Sequence, residues 1–140
     1  MKKILASVLF VVVTFTISCS QTPATAEKKS VLGAAIEFKT TDHDFGTIEK
    51  GGNGTYEFVF TNTGTEPLVL SNVRSSCGCT IPQWPKDPIK SGESASIKVI
   101  YDTQRIGNFT KSISVYSNAQ EAPIMLQIKG VVVDKAAAAQ

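Results

Sequence analysis

Histidine is almost absent from this 140-residue chain, which also has one tryptophan and three cysteines. With His43 as the only imidazole, the sequence offers no Ser-His-Asp set and no HExxH zinc motif, and it has no phosphate-binding glycine loop. Ordinary hydrolytic or acid/base catalysis therefore lacks its parts, and we do not expect an enzyme. His43 itself is expected to be a solvated loop residue.

Long apolar runs are also scarce. The one extended run, Ile4–Ile17, is shorter than the about 20 residues that a transmembrane helix needs, and it follows Lys2 and Lys3. A short apolar run behind a positively charged start is typical of an export signal. We therefore predict that residues 1–19 direct export to the cell envelope.

Two cleavage schemes fit the end of this signal. Thr16 to Cys19 resembles the lipobox of bacterial lipoproteins, in which the cysteine is lipidated and becomes the mature N-terminus, although Thr16 stands where leucine is commonest. Ala24 to Ala26 fits the small-x-small rule of ordinary signal peptidase. Lipidation of Cys19 is favoured, because a cysteine directly after the apolar run is otherwise unexplained. The mature chain would then be membrane-anchored, facing the periplasm or the cell surface.

The predicted signal also accounts for the net charge of +2 and for the odd number of cysteines. Without Lys2 and Lys3, 12 basic residues balance 12 acidic ones, so nothing indicates a nucleic-acid partner. If Cys19 carries lipid, Cys77 and Cys79 remain as one even set in an oxidising compartment.

Composition divides the mature chain into three parts. Residues 20–33 are small, polar and charged, which is typical of a flexible tether. Residues 34–134 are enough for one domain with one core. Residues 135–140 read as a frayed tail, and no segment would fold as a second domain.

The domain has a period of two and no helical stripe. Alternating apolar side chains predict strands with one face inward, and we expect about seven strands in all. The segments that carry this pattern are Ile36–Phe38, Tyr56–Thr61, Leu68–Leu70, Ala95–Tyr101, Ser112–Tyr116 and Ile124–Lys129. Turn residues between them, such as Lys50–Gly54 and Lys90–Glu93, have the spacing of an antiparallel Ig-like sandwich.

Several motifs between about Phe45 and Val133 resemble a bacterial family, domain of unknown function 1573. They are a Phe-x-Asn-Thr-Gly strand end, a Ser-Cys-Gly-Cys-Thr loop, Trp-Pro and Pro-Ile elements, a Ser-Gly-Glu turn and a Tyr-Asp-Thr hairpin. The resemblance implies an Ig-like sandwich, related in shape to modules of sperm-protein and cilium-associated type, and often exported and lipidated. It implies no activity.

The Cys77-Gly78-Cys79 loop admits three main interpretations, beside a bridge to another molecule. A disulfide across one residue is geometrically demanding, and we expect Gly78 to permit it through a positive φ. Thiol exchange would suit such a bridge, but no Cys-x-x-Cys motif is present. Two thiolates could instead hold a soft ion such as Cu(I), although a closed zinc site needs four ligands. A structural pair is the third interpretation, and no cofactor is expected unless copper is bound.

The other candidate residues each have a structural interpretation as well as a functional one. Trp84 either caps one end of the sandwich or anchors a partner. Asp102 and Arg105 are expected to be a turn former and a solvated charge, and Asp42 and Asp44 are at best a weak calcium signal.

These features predict a non-catalytic Ig-like module, tethered in the envelope, that binds or scaffolds another envelope protein or a polysaccharide through an edge strand or loop end. The alternative is a thiol-redox or copper-handling protein that uses Cys77 and Cys79.

Overall fold

Every regular element in residues 32–134, the part of the chain that the computed structural model describes, is a β-strand. The export signal, Cys19, most of the tether and residues 135–140 lie outside the described residues, so the predictions for them remain predictions. Between Leu32 and Asp134 no helix has the length and apolar character to cross a membrane. The strands are β1 (Ile36–Phe38), β2 (Asp42–Glu49), β3 (Thr55–Asn62), β4 (Leu70–Ser75), β5 (Thr80–Gln83), β6 (Ser94–Tyr101), β7 (Gly107–Ser117) and β8 (Gln120–Val133).

Alternation of side chains builds the core between two sheets. In each central strand the residues predicted to face inward are the buried ones, while their neighbours are more accessible. The central strands bury the following apolar side chains: Phe58, Phe60, Ile97, Val99, Tyr101, Phe109, Ile113, Val115, Leu126, Ile128 and Val132.

The strands form two four-stranded sheets. Sheet I has the order β1-β3-β6-β5, and sheet II has the order β2-β8-β7-β4. The predicted all-β sandwich is confirmed. The structure has eight strands where about seven were expected, and β2 pairs with β8 in parallel, so sheet II is mixed.

The two strands without a predicted counterpart, β2 and β5, both lie at sheet edges. β5 contains Pro82, and β2 contains a register shift between Asp44 and Thr47 where Gly46 has a φ of +61°. Proline and bulges are common at edges and obscure the period-two pattern by which a strand is recognised.

Two short connections carry the chain from one sheet to the other. Residues 39–41 join the edge strands β1 and β2, and residues 76–79 join the edge strands β4 and β5. Because each connection links an edge of sheet I to an edge of sheet II, the two lie on opposite lateral sides of the sandwich. The Cys-Gly-Cys segment therefore forms one corner of the fold.

The asparagine of the Phe-x-Asn-Thr-Gly motif, Asn62, is the centre of a buried group of hydrogen bonds. Asn62 is 0% exposed. Its Nδ2 donates to the carbonyls of Glu66 and Ile89 at 2.8 and 2.9 Å, and its Oδ1 accepts from the backbone N–H of Gly64 and Ala35 at 3.0 and 3.4 Å. One amide thus bonds to three chain segments at once, in addition to the backbone hydrogen bonds that join them in pairs, and all its polar atoms are satisfied, as burial requires.

Gly64 completes the same motif because there is no room for a side chain. A Cβ at this buried position would lie 2.1 Å from the carbonyl oxygen of Gly33 and 2.5 Å from the backbone nitrogen of Ala35. These are backbone atoms of the segment leading into β1. The motif therefore fixes the start of the domain against the end of β3.

We expect Asn62→Ala to lower the free energy of unfolding by about 2–4 kcal/mol, because several buried backbone groups lose their partner at once. Gly64→Ala should be similarly destabilising, since backbone must move to admit the methyl group. Gly78→Ala is the matched control: a Cβ there meets nothing within 4 Å, so we expect a change within about 0.5 kcal/mol. Urea unfolding measures all three, and equal stability of the two glycine variants would contradict this account.

Candidate functional site

The Cys77–Cys79 corner is the candidate site, because it combines the only described cysteines with a position at the rim of both sheets. The structure joins the two by a disulfide, with Cα atoms 5.3 Å apart, within the range that disulfides span. Cys79 is 6% exposed and belongs to the core, whereas Cys77 is half-buried and packs at the periphery of the core. One sulfur atom thus belongs to the interior and the other to the rim.

Hydrogen bonds from outside the disulfide hold the corner in place. The Ser75 hydroxyl lies 2.5 Å from the Cys77 carbonyl and 2.7 Å from the Thr80 carbonyl, and its single hydrogen serves one of them at a time. The Ser76 backbone N–H donates to Ser112, and the Asp102 N–H donates to the Cys79 carbonyl at 2.9 Å. The corner is therefore fixed to β7 and to the end of β6 independently of the sulfur–sulfur bond.

The sulfur atoms have polar neighbours of their own. The backbone N–H of Cys79 donates to Cys77 Sγ at 3.3 Å, and the buried Thr80 hydroxyl lies 4.0 Å from each sulfur. Sequence reasoning missed Ser75 and Thr80. The only signal was their position beside the two cysteines, and Ser and Thr are common in loops of every kind.

Gly78 does not have the role predicted for it. Its φ is not positive, in contrast to Gly46, Gly51 and Gly92, and a Cβ built on it meets nothing within 4 Å. The expectation that the ring requires a left-handed residue is wrong, because the chain passes the corner in a conformation open to any residue. The exposed Gly78 instead leaves space beside the disulfide.

A metal site that combines the cysteines with His43 is excluded by topology. His43 lies in β2 and the cysteines follow β4, at opposite edges of sheet II, three interstrand spacings or about 14 Å apart. Within residues 32–134 no three His, Cys, Asp or Glu side chains come together as metal ligands would. Copper binding by the two thiolates alone stays a prediction.

His43 is not the solvated loop residue that was expected. It lies in β2, half-buried, and its ring stacks on Tyr56 with centroids 3.5 Å apart and an interplanar angle of 9°. Phe45 meets the same ring edge-on at 4.5 Å. Burial lowers the pKa of His43 below its ordinary value of 6.5, and the neighbouring Asp44 carboxylate opposes part of that shift.

Trp84 lies just after β5, half-buried, and packs against the core. The Lys86 ammonium lies 3.1 Å from the centre of the indole ring, which is cation–π geometry. The indole Nε1 is buried and has no hydrogen-bond partner. These contacts are those of a capping side chain, and the role as a partner anchor stays a prediction.

The remaining acidic candidates have structural contacts. Asp102 accepts from the Gln104 N–H and forms an exposed ion pair with Arg105 at 3.3 Å, as a turn former and a solvated charge would. Asp44 accepts from the Gly46 N–H and pairs with Lys129 at 3.5 Å. The Gly46 N–H, followed by Lys129, lowers the pKa of Asp44.

Three of the four sheet edges are protected against an added strand. In β5 the register with β6 turns the backbone nitrogen of Pro82 toward the open side of the strand, and proline has no N–H to offer an added strand there. The carbonyl of Thr80 is covered by the Ser75 hydroxyl. In β2 the outward N–H and C=O of Asp42 both bond to the Thr40 hydroxyl. β1 has only three residues.

The fourth edge, β4, is different. The hydrogen bond from Ser76 N–H to Ser112 sets the alternation of its ladder with β7, which places the N–H and C=O of Val73 on the side away from the sheet. Val73 as a whole, backbone included, is only 3% exposed, whereas Ser71 and Arg74 of the same strand are exposed to solvent. This edge runs directly into the Cys77–Cys79 corner.

A family model described as "Protein of unknown function (DUF1573)" matches residues 36–132, from the first strand to the last. The chain belongs to this family. The match takes in the Asn62 motif, the Cys77–Cys79 corner and all eight strands, and it extends the predicted resemblance toward the N-terminus. No curated protein matches the chain.

Solved structures with the same fold come from distant proteins. A protein of unknown function from Porphyromonas gingivalis W83 superposes with a TM-score of 0.61 at 21% identity, over 70% of this chain and 46% of that one, so this chain spans less than half of its length. The ASH / PapD-like domain 7 of human CEP192 gives 0.57 at 11% identity, over 86% and 97%. A family 123 glycoside hydrolase from Clostridium perfringens gives 0.52 at 15%, over 73% and 27%. At these identities the likeness shows the fold alone.

The lowered pKa of His43 gives a signed pH dependence. The folded state favours the neutral ring, so the unfolded chain binds more protons below pH 6.5, and the contribution of His43 to stability is lost as pH falls through that value toward the folded pKa. We expect wild type to lose more stability between pH 7 and 5 than His43→Phe, which keeps an aromatic ring on Tyr56. Urea midpoints at both pH values measure this, and parallel pH curves would contradict it.

Proposed function

We propose that this protein is a non-catalytic module of the bacterial cell envelope, anchored through a lipid on Cys19, that binds an extended segment of another envelope protein along β4. The observation that supports the proposal is the contrast among the four edges: β1 is short, Thr40 and Ser75 bond to backbone groups of β2 and β5, and the outward N–H and C=O of Val73 in β4 have no hydrogen-bond partner among residues 32–134. Strand addition to such an edge is a common mode of peptide recognition, in which main-chain hydrogen bonds provide affinity.

Side chains around β4 suggest what the added segment would carry. Arg74 is exposed on the outer face of the strand and would attract an acidic side chain. Tyr116 lies opposite Asn72 in the ladder between β4 and β7, and Met125 lies beyond Ser114, the partner of Arg74. The exposed side chains of Tyr116 and Met125 therefore lie on the same face of the sheet as Arg74. An extended segment with an acidic and an apolar residue on one face fits this surface better than a polysaccharide does.

The backbone contribution can be tested with Val73→Pro, which removes the outward N–H while leaving the ladder to β7 intact. We expect partner affinity to fall at least about tenfold, the equivalent of one lost main-chain hydrogen bond. Val73→Thr is the matched control, because it keeps the N–H and the shape of the side chain. The measurement is the yield of a photo-crosslink from Ser71 in full-length protein in its own envelope, compared with a crosslinker at Glu37 in β1.

A charge test covers the case in which Val73→Pro fails to fold. Arg74→Glu should reduce the same crosslink about tenfold, and Lys39→Glu, an equal charge change at the opposite lateral side, should leave it unchanged. Adducts of equal yield from Glu37, or adducts insensitive to both β4 variants, would overturn the proposal. An adduct that survives complete proteolysis would favour a polysaccharide.

The lipid anchor has a separate test. We expect full-length protein to incorporate labelled fatty acid and to sediment with membranes, whereas Cys19→Ser should do neither, because a mature chain without net charge has no other strong attraction to a bilayer. Cleavage after Ala26 in wild type, read by intact mass, would instead identify an ordinary signal peptide.

A further inference from the structure

We propose that Cys77 and Cys79 are a thiol–disulfide exchange pair, in which Cys77 is the sulfur that contacts a partner dithiol and Cys79 is the resolving thiol. The reaction partner is a protein dithiol or disulfide in the same compartment. This inference does not depend on binding at β4.

Access distinguishes the two sulfurs. Cys79 is 6% exposed within the core, so an incoming thiolate cannot approach its sulfur from solvent. Cys77 is half-buried at the rim, and the exposed Gly78 beside it places no side chain over the approach. Exchange requires access to the attacked sulfur, so it proceeds at Cys77.

Electrostatics distinguishes them in the same direction. After reduction, the Cys79 backbone N–H, 3.3 Å from Cys77 Sγ, would stabilise a thiolate on Cys77 and lower its pKa. Burial among apolar side chains has the opposite effect on Cys79, which would stay a protonated thiol. A dithiol exchange pair needs one accessible thiolate that reacts with the partner and one buried thiol that resolves the mixed disulfide, and Cys77 and Cys79 fit these two roles.

The chemical steps balance without another reactant. A partner thiolate attacks Cys77 Sγ and forms the mixed disulfide, while the electron pair of the Cys77–Cys79 bond leaves on Cys79 Sγ, which takes up a proton. The partner's second thiolate then attacks its own sulfur in the mixed disulfide, and Cys77 leaves as a thiolate. The partner dithiol is oxidised to a disulfide as this pair gains two electrons, and the reverse sequence oxidises this pair.

The fold can accommodate both redox states. Hydrogen bonds from Ser75, Ser76 and Asp102 hold the corner whether or not the sulfurs are bonded. A bridge across one residue also restricts the unfolded chain little, so it adds little as a staple. Reduction therefore does not require unfolding.

The first test compares two single-thiol variants of the full chain, Cys79→Ser and Cys77→Ser, each reacted with oxidised glutathione. Cys77 should form its mixed disulfide at least about tenfold faster than Cys79 does. Its rate should also titrate with an apparent pKa below the roughly 8.5 of free cysteine, since Cys79→Ser retains the backbone N–H. Peptide mass mapping assigns each adduct and separates both from Cys19. Equal rates, a faster Cys79, or an unshifted pKa would overturn the assignment.

The second test asks whether the native protein can cycle. Wild type treated with dithiothreitol and then reoxidised should gain and lose two thiols while its far-ultraviolet circular dichroism stays unchanged. If the bond were reduced only in urea strong enough to unfold the chain, it would be a structural crosslink and the proposal would fail. A β4 edge that binds no peptide would leave both thiol results intact, so the two proposals fail separately.

Discussion

The buried amide of Asn62 is the interaction on which the sandwich most depends. Backbone hydrogen bonds join the segment before β1 to the turn after β3, and join Ile89 to Leu68, but each of them links only two segments. One side chain with two donors and two acceptor sites satisfies backbone groups from all three. Because no apolar residue offers hydrogen bonds, this position cannot be exchanged for more hydrophobic burial, and Gly64 must stay small beside it.

With that end fixed, the lateral sides of the sandwich can differ. One side is closed by the short link between β1 and β2, where Thr40 covers the backbone of Asp42. The other side holds the Cys77–Cys79 corner, with the Thr80 carbonyl of β5 covered by Ser75 and the outward groups of Val73 in β4 without a hydrogen-bond partner among residues 32–134. A chain that protects most of its edges avoids unspecific pairing. The edge strand β4 and the asymmetric sulfur pair therefore share one lateral side of the molecule.

Sequence predicted the class of fold because period-two alternation directly records which face is buried, as in Phe58 and Phe60. It failed where tertiary contacts decide. Edge strands β2 and β5 have weak alternation, and the parallel pairing of β2 with β8 depends on long-range topology. His43 looked like a loop residue because its stacking partner Tyr56 is in another sheet. The cysteines were found from spacing, but their unequal exposure depends on tertiary packing, which places Cys79 within the core and Cys77 at its periphery.

The direction of the strands places the two ends of the chain at opposite ends of the domain. β1 enters beside Asn62 at one end of the sandwich, while the parallel strands β2 and β8 both finish at the opposite end, where Lys50 bonds to Val133. The segment before β1 therefore joins the domain at its Asn62 end, and Asp134 lies at the opposite end. The two lateral sides, one of which carries β4 and the Cys77–Cys79 corner, run between these two ends, so a partner of that side would reach it without meeting either chain terminus of the domain.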